Sequence, residues 1–140
     1  MIRVDFYLLT DSSQEARQLF ACRLAEKAYQ KKHQIYILVN SMAAAEQLDQ
    51  LLWTFQDDSF LPHEIYSQNT PLSAPIQIGT SGYPATCDTL FNLTSALPDN
   101  IEHFSRIIEI VPNNENERQQ ARDRFRLYRQ KGYSLQTHNI

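Results

Sequence analysis

The sequence predicts an α/β fold, in which helices cover both faces of a central, mostly parallel sheet. Short apolar runs typical of buried strands occupy 4–10 and 34–40, and helical periodicity follows each run, at 13–31 and 41–53. This strand–helix–strand–helix order favours parallel strands joined by right-handed crossovers. A length of 140 residues is typical of one domain with a sizeable core, so residues 1–140 are expected to form a single α/β domain.

Each predicted element has its own local signal. Ser12 or Ser13 can cap the first helix, and Ser41 can cap the second. The range 54–75 contains three prolines and no hydrophobic period, which predicts a long partner-binding loop. Gly132 stands where the last helix should end. The other predicted elements are short strands at 75–80, 88–95 and 106–112, a basic C-terminal helix at 113–131 and an edge strand at 133–137.

Composition and charge narrow the class of protein. The chain is 42% apolar and 11% aromatic, which is ordinary for a folded domain and too rich for disorder. No apolar run approaches the roughly 20 residues that span a bilayer. Asp5 interrupts the N-terminal apolar run, unlike the pattern of a secretory signal. Cys22 and Cys87 form no CxxC-like pair, so two reduced thiols in a cytoplasmic protein are expected.

The patterns that mark common enzymes are missing from the sequence. The turn at 79–84 has neither of the glycine spacings that bind nucleotide phosphates. Cys87 beside Asp88 has no marked base and is more typical of a small buried thiol than of a nucleophile. We therefore predict no catalytic residue, no metal and no cofactor. The histidines stand singly, without metal-ligand spacing, at His33, His63, His103 and His138.

The stretch 118–133 concentrates positive charge in an acidic protein. It holds six of the thirteen Lys and Arg residues, whereas the whole chain has a net charge of −3. At about 100° per residue, a basic stripe borders an apolar one. The residues on this stripe are Arg118, Arg122, Phe125 and Arg129, with Arg126 beside them. A solvated helix face is one interpretation. Of the two ligand classes, the acidic overall charge favours an acidic peptide over nucleic acid.

A second candidate surface lies at 51–63, around the end of the second helix. Trp53, Phe60 and Pro62 belong to an aromatic and apolar segment that a regular core cannot bury completely. Trp53 could instead fill the bottom of the sheet. Because aromatic residues are enriched at binding hot spots, and exposed apolar patches usually mark partners, we expect an interface here.

These stretches also carry a resemblance to a known family. The segments "FYLL", "LWTFQDDSFLPH", "APIQI", "RIIEIVP" and "ARDRFRLYRQKGYSLQT" occur in this order and spacing in the chi subunits of bacterial DNA polymerase III. The resemblance covers nearly the whole chain. Its most specific parts are the LW…SF-x-PH segment and the VP…AR-x-R…YR-x-x-G-[FY]-x-L-x-T ending. Only the combination is specific, since no single segment would identify the family.

The resemblance implies a Rossmann-like protein without catalytic activity of its own. Chi subunits pair as a 1:1 heterodimer with the psi subunit, which tethers them to the clamp loader, and they bind the acidic, Phe-ending C-terminal tail of single-stranded DNA-binding protein. Some members are reported to pair instead with an accessory helicase through the psi-binding surface. No direct DNA contact is expected.

Matching motifs assign the site residues. The psi-facing patch would contain Trp53, Phe60 and Pro62. The tail pocket would be lined by Val111, Arg118, Arg122, Phe125 and Arg126, which Arg129 joins by helix geometry alone.

Two features depart from the family pattern. Phe125 and Arg126 stand where members carry Tyr and then Lys, so we expect the pocket to persist with altered hydrogen bonding. The last residues, His138, Asn139 and Ile140, do not match the family ending. The resemblance therefore assigns no role to them.

Overall fold

The computed structural model describes residues 2–56, 60–68 and 74–140, which form seven strands and three helices. The strands are β1 (Arg3–Leu8), β2 (Ile35–Leu38), β3 (His63–Ile65), β4 (Ile76–Gly79), β5 (Thr89–Asn92), β6 (Arg106–Val111) and β7 (Ser134–Asn139). The helices are α1 (Gln14–Gln30), α2 (Met42–Thr54) and α3 (Glu115–Gln130).

All the strands lie in one sheet, in the order β3-β4-β2-β5-β6-β1-β7. Every adjacent pair is parallel, so the predicted α/β fold is confirmed, with a sheet that is wholly parallel among the described residues. Helix α1 carries the chain from β1 towards β2, whereas α3 carries it from β6 past β1 to the edge strand β7. These two crossovers leave neighbouring strands in opposite directions, as in a Rossmann-like sheet.

Separate apolar layers bury the two faces of the sheet. Ile35 and Ile37 of β2 pack in one layer with α1 and α2, whereas Tyr36 and Leu38 pack in the other with α3. Successive side chains of a strand point to opposite faces, so burial on both sides requires an uninterrupted apolar run. Strand β2 has such a run, which explains why the sequence alone located it.

The helix ends follow the predicted capping signals. The side-chain oxygens of Ser13, Ser41 and Asn114 each accept a hydrogen bond, at 3.1 Å, from the backbone N–H three residues later. Gly132 follows α3 with φ of +82°, a conformation that residues with a side chain rarely adopt. The chain can therefore turn directly from α3 into β7.

One strand lies where the sequence predicted an unbroken loop over 54–75. Strand β3 pairs in parallel with β4 and has only three residues, His63–Ile65. Two of the three are polar, so no apolar run marks them. His63 is nevertheless buried, because its ring nitrogens lie 2.6 Å from the Leu61 carbonyl and 3.1 Å from the Asp49 carbonyl. Residues 57–59 and 69–73 of the same range lie outside the described residues.

Buried ion pairs join the two helical layers near the carboxyl ends of β5 and β6. Arg17 of α1, whose side chain is 2% exposed, donates to Glu117 of α3 at 2.8 Å. On the α3 side, Arg124 pairs at 3.0 Å with Glu109 of β6, which is fully buried. The Tyr128 hydroxyl donates to the same carboxylate at 2.8 Å. Burial and the neighbouring Glu109 raise the pKa of Tyr128, so its hydroxyl keeps this proton.

A second ionic cluster lies on the face of β1 that points away from α3, in a region that α1 does not cover. Asp5 is fully buried and accepts hydrogen bonds from Arg3, Arg106 and His138. Burial alone would raise the pKa of Asp5, but the hydrogen bonds from His138 and the two arginines outweigh it and lower that pKa below its usual value. The His138 ring also stacks on Tyr7, with 4.6 Å between ring centroids.

Replacing Arg124 with Met should strongly destabilise the fold. The substitution leaves the Glu109 carboxylate buried without its cation, and breaking such a pair typically costs about 3 kcal/mol. Urea denaturation measures the change in the free energy of unfolding. Arg126→Met is the matched control on the same helix, because the Arg126 side chain is 65% exposed and its ion pair is worth less than about 1 kcal/mol. Equal losses in the two variants would contradict the role assigned to Arg124.

Asp5→Asn should destabilise the protein at neutral pH, with an effect that fades in acid. The folded state lowers the pKa of Asp5, so its ionised form contributes stability above the unfolded pKa, about 3.9. That contribution is lost as the pH falls through the lower, folded pKa. The difference in the free energy of unfolding between the two proteins should therefore begin to shrink below about pH 4 and continue to shrink as the pH falls further. A difference that is constant from pH 7 to pH 3 would show that the ionised group is not responsible.

Candidate functional site

A groove runs between α3 and the strands β1 and β7. It has a volume of about 370 Å³, and an apolar floor lies beneath a row of guanidinium groups. Its lining residues are Phe6, Leu8, Arg118, Ala121, Arg122, Phe125, Arg126 and Thr137. The groove therefore combines an apolar recess with positive charge along one side.

The groove follows from how α3 packs on the sheet. Ala121, Arg124 and Tyr128 form the buried side of the helix, so the stripe that begins at Arg118 lies along the border of that contact. Phe125 is half-buried and packs against Phe6 of β1, with 5.4 Å between ring centroids. Two aromatic rings thus support the floor from α3 and from β1.

The three lining arginines differ in how firmly they are held. Arg118 donates to the Leu9 carbonyl at 2.9 Å, and its buried Nε has no hydrogen-bond partner among the described residues. Arg122 is exposed and bonds to Gln119 at 3.0 Å and to Glu115 at 3.3 Å. Arg126 pairs with Asp123. Because exposed ion pairs are weak, an anionic ligand can displace the partners of Arg122 and Arg126 at small cost.

Val111 and Arg129, which were also assigned to the tail pocket, do not line the groove. Arg129 lies over the outer face of Phe125, with its guanidinium carbon 5.2 Å from the ring centroid. Val111 is fully buried in the apolar layer beneath α3. Conversely, Phe6, Leu8 and Thr137 line the groove although the sequence analysis did not select them. The alternation of β1 could have placed Phe6 and Leu8 on one face, but it could not show which helix covers that face.

The Trp53 patch, formed by Trp53, Phe60 and Pro62, lies at the far end of α2. Trp53 is 49% exposed and Phe60 is 67% exposed, so the rings do not fill the core. They pack against each other with 5.4 Å between centroids, and Pro62 beside them is partly buried. The ring of His63 supports Trp53 at 4.7 Å. In the sequence His63 stands alone, because one of the two carbonyls that hold it, that of Asp49, lies fourteen residues away.

At the carboxyl edge of the sheet, where open parallel sheets commonly bind ligands, protein contacts occupy the space between the loops after β1 and β6. A cavity of about 700 Å³ remains at the same edge, after β2, β4 and β5. The loops after β1 and β6 are tied together by Asn113, which donates to the Asp11 carbonyl at 2.9 Å and to the Thr10 carbonyl at 3.2 Å. The Arg17–Glu117 pair lies beside them. A ligand could enter the space between β1 and β6 only by displacing these contacts.

The described residues offer little for metal or thiol chemistry. Within them, no three His, Cys, Asp or Glu side chains group closely enough to hold a metal ion. Cys22 and Cys87 are free and buried, and burial raises the pKa of each thiol to about 12. Neither is a thiolate near neutral pH. In the same ranges, none of the helices is both long and apolar enough to cross a bilayer.

Comparisons with known proteins agree on one family. A family model described as DNA polymerase III chi subunit, HolC, matches residues 1–136. DNA polymerase III subunit chi of Pseudomonas aeruginosa is 40% identical over 141 residues, which cover 100% of this chain and 98% of the relative. The subunit of the same name from Haemophilus influenzae is 31% identical, with 96% of this chain and 95% of the relative covered. That of Escherichia coli is 26% identical, with 98% and 97% covered.

The match extends over the elements that build both surfaces. It begins before β1, includes the Trp53 patch and α3, and ends within β7. The family match therefore covers the segments that contain both surfaces. This chain belongs to the DNA polymerase III chi subunit family of replication accessory subunits.

Proposed function

We propose that this chain is an adaptor of the replication machinery, without catalytic activity of its own. It binds the acidic, Phe-ending C-terminal tail of single-stranded DNA-binding protein in the groove beside α3. Through the Trp53 patch it binds the psi subunit as a 1:1 heterodimer and thereby joins the clamp loader. The observation that carries the proposal is the apolar floor of the groove beneath the arginines.

The chemistry of the groove suits the end of such a tail. A terminal Phe ring can enter the apolar recess over Phe6 and Phe125, where it gains aromatic contacts. Its terminal carboxylate then lies near the guanidinium groups of Arg118 and Arg122, which can bind a carboxylate through two parallel hydrogen bonds. Acidic residues farther along the tail would meet Arg126 and Arg129. Because much of this attraction is exposed charge, binding should weaken as salt increases.

Direct binding of single-stranded nucleic acid by α3 is the alternative function. Its arginines suit phosphate as well as carboxylate. However, the recess is small and apolar, and the two outer arginines already pair with carboxylates of the helix itself. A peptide carboxylate is the ligand that replaces these partners most directly.

The exposure of the Trp53 patch supports its assignment to a protein partner. Trp53 and Phe60 present aromatic surface to solvent while His63 holds the Trp53 ring in place from below. A pre-positioned aromatic pair is typical of a binding hot spot. The psi subunit is the partner that we assign to it, and an accessory helicase is a second candidate for the same surface.

Arg122→Ala should weaken binding of an acidic, Phe-terminated peptide at least tenfold. The variant removes a charge-assisted hydrogen bond, worth about 1.5–3 kcal/mol, from the rim of the groove. Isothermal titration calorimetry measures the affinity, and an unchanged melting temperature shows that the fold is intact. Arg23→Ala is the matched control, because this exposed arginine lies on α1, across the sheet.

Unchanged peptide affinity in Arg122→Ala would refute the assignment of the groove. A wild-type protein that ignores the peptide but binds oligonucleotides, and loses that binding in Arg122→Ala, would favour the alternative function.

Trp53→Ala should abolish co-purification with the psi subunit and leave peptide binding unchanged. The truncation removes the larger aromatic anchor of the patch. The patch lies beside β3, at the opposite edge of the sheet from β7 and the α3 groove. Met42→Ala is the matched control, since Met42 lies on the same helix and is also 49% exposed. If Trp53→Ala loses both activities, the residue supports the fold instead of the interface, and a loss in Met42→Ala would show that the assay does not report the patch.

A further inference from the structure

A second groove lies across the sheet from the α3 groove, along α1. It has a volume of about 550 Å³ and lies between α1 and the strands β1, β5 and β6. Four of its lining residues are Arg23, Lys27, Lys31 and Arg106. Among the described residues, one acidic side chain, that of Glu26, also lines it. This α1 groove is therefore basic in a protein whose net charge is −3.

The cations of α1 form a regular row. Arg23, Lys27 and Lys31 are spaced by four residues, so they follow one side of the helix in steps of about 6 Å. All three are exposed, and none has an ion pair with another residue in the part of the chain that the structure describes. Two of the three arginines that line the α3 groove, Arg122 and Arg126, by contrast already have acidic partners. The row on α1 thus presents uncompensated charge to a linear anion.

Aromatic rings lie next to this row. Phe20 and Tyr7 line the α1 groove and pack together, with 5.2 Å between their centroids. His138 continues the array by stacking on Tyr7 at 4.6 Å, with an interplanar angle of 17°. Its side chain is 34% exposed, so the array reaches the surface. Rings beside a row of cations are the arrangement with which proteins hold unpaired nucleotides.

Glu26 offsets one of the four cations that line the groove, and two other neighbouring carboxylates lie beside partners of their own. Asp5 lies beneath the array, but Arg3, Arg106 and His138 surround it with hydrogen bonds. Asp88 lies 3.3 Å from a ring nitrogen of His33, at the other end of the groove. Arg3 and Arg106 therefore compensate the charge of Asp5 within the fold.

We propose that the α1 groove binds single-stranded nucleic acid, with backbone phosphates along Arg23, Lys27 and Lys31 and bases against the rings of Phe20, Tyr7 and His138. An unpaired strand is favoured over a duplex, whose bases are already stacked and hidden. This site goes beyond the proposed adaptor function, in which the chain reaches DNA only through another protein. It also differs from the expectation of no direct DNA contact. The residues involved come from β1, α1 and β7, which sequence reasoning did not bring together.

The matched experiment neutralises three cations on either face of the sheet. One variant is Arg23→Gln, Lys27→Gln, Lys31→Gln, and the other is Arg122→Gln, Arg126→Gln, Arg129→Gln. Fluorescence anisotropy of a labelled oligothymidylate, recorded over a series of salt concentrations, measures binding to each full-length chain. Both variants change the net charge equally, so a difference between them reports position and not overall charge.

The α1 variant should bind the oligonucleotide at least tenfold more weakly at low salt. Its slope of log affinity against log salt should be shallower by about 2, the contribution of three phosphate contacts on a single strand. The α3 variant should keep the oligonucleotide affinity and lose binding of the acidic, Phe-terminated peptide. That loss tests the adaptor function separately, so either hypothesis can fail alone.

Phe20→Leu tests the stacking part of the proposal, because it keeps an apolar side chain in the packing against Tyr7 and removes a ring. Affinity for the oligonucleotide should fall severalfold with no change in the salt slope. A wild-type chain that binds no oligonucleotide at low salt, equal losses in the two triple variants, or equal affinity for duplex DNA would overturn the proposal. So would displacement of the oligonucleotide from the α3 variant by the acidic peptide, which would make the α1 groove a peptide site.

Discussion

Two ion pairs, one between α1 and α3 and the other between α3 and β6, are the constraint on which the other features depend. Arg17 reaches over the carboxyl edge of the sheet to Glu117, and Arg124 reaches down to Glu109. The main-chain carbonyls of residues 93 and 110 complete the shell of Arg17. Since a buried charge without its partner is strongly destabilising, both helices are held in register with the strands beneath them. The network also occupies part of the carboxyl edge of the sheet, at the ends of β5 and β6.

Fixing both helices near β6 determines where the molecule can have grooves. Helix α3 passes over β1 to reach β7, and the space beside it becomes the recess floored by Phe6 and Phe125. Helix α1 runs the other way on the opposite face, so β1 and β7 are left without a helix there. On this uncovered face, Arg3, Arg106 and His138 lie over the buried Asp5 in place of an apolar layer. One crossover pattern thus accounts for both grooves.

Features with a local cause were predictable from the sequence, and features with a distant cause were not. Apolar runs and capping residues located the helices and most strands, because period and capping act within a few residues. Strand β3 escaped notice because its pairing partner, and not its own composition, makes it a strand. Nothing in the sequence around Arg124 marks it as a buried residue, whereas it lies buried against Glu109. Charge that is buried by a partner fifteen residues away leaves no local pattern.

The cations beside the two grooves differ in how many are already paired with acidic residues of the fold. This difference determines which anion each groove favours. On α3, Arg122 and Arg126 are paired with acids of the same helix, so a ligand there must exchange one carboxylate for another. An acidic chain end makes that exchange without altering the kind of contact. On α1, the cations have no such partners among the described residues and attract an anion from a distance. A chain with an overall negative charge can therefore present two basic surfaces that favour different anions. Selectivity depends on which cations are already neutralised and on whether an apolar recess or a row of aromatic rings lies beside them.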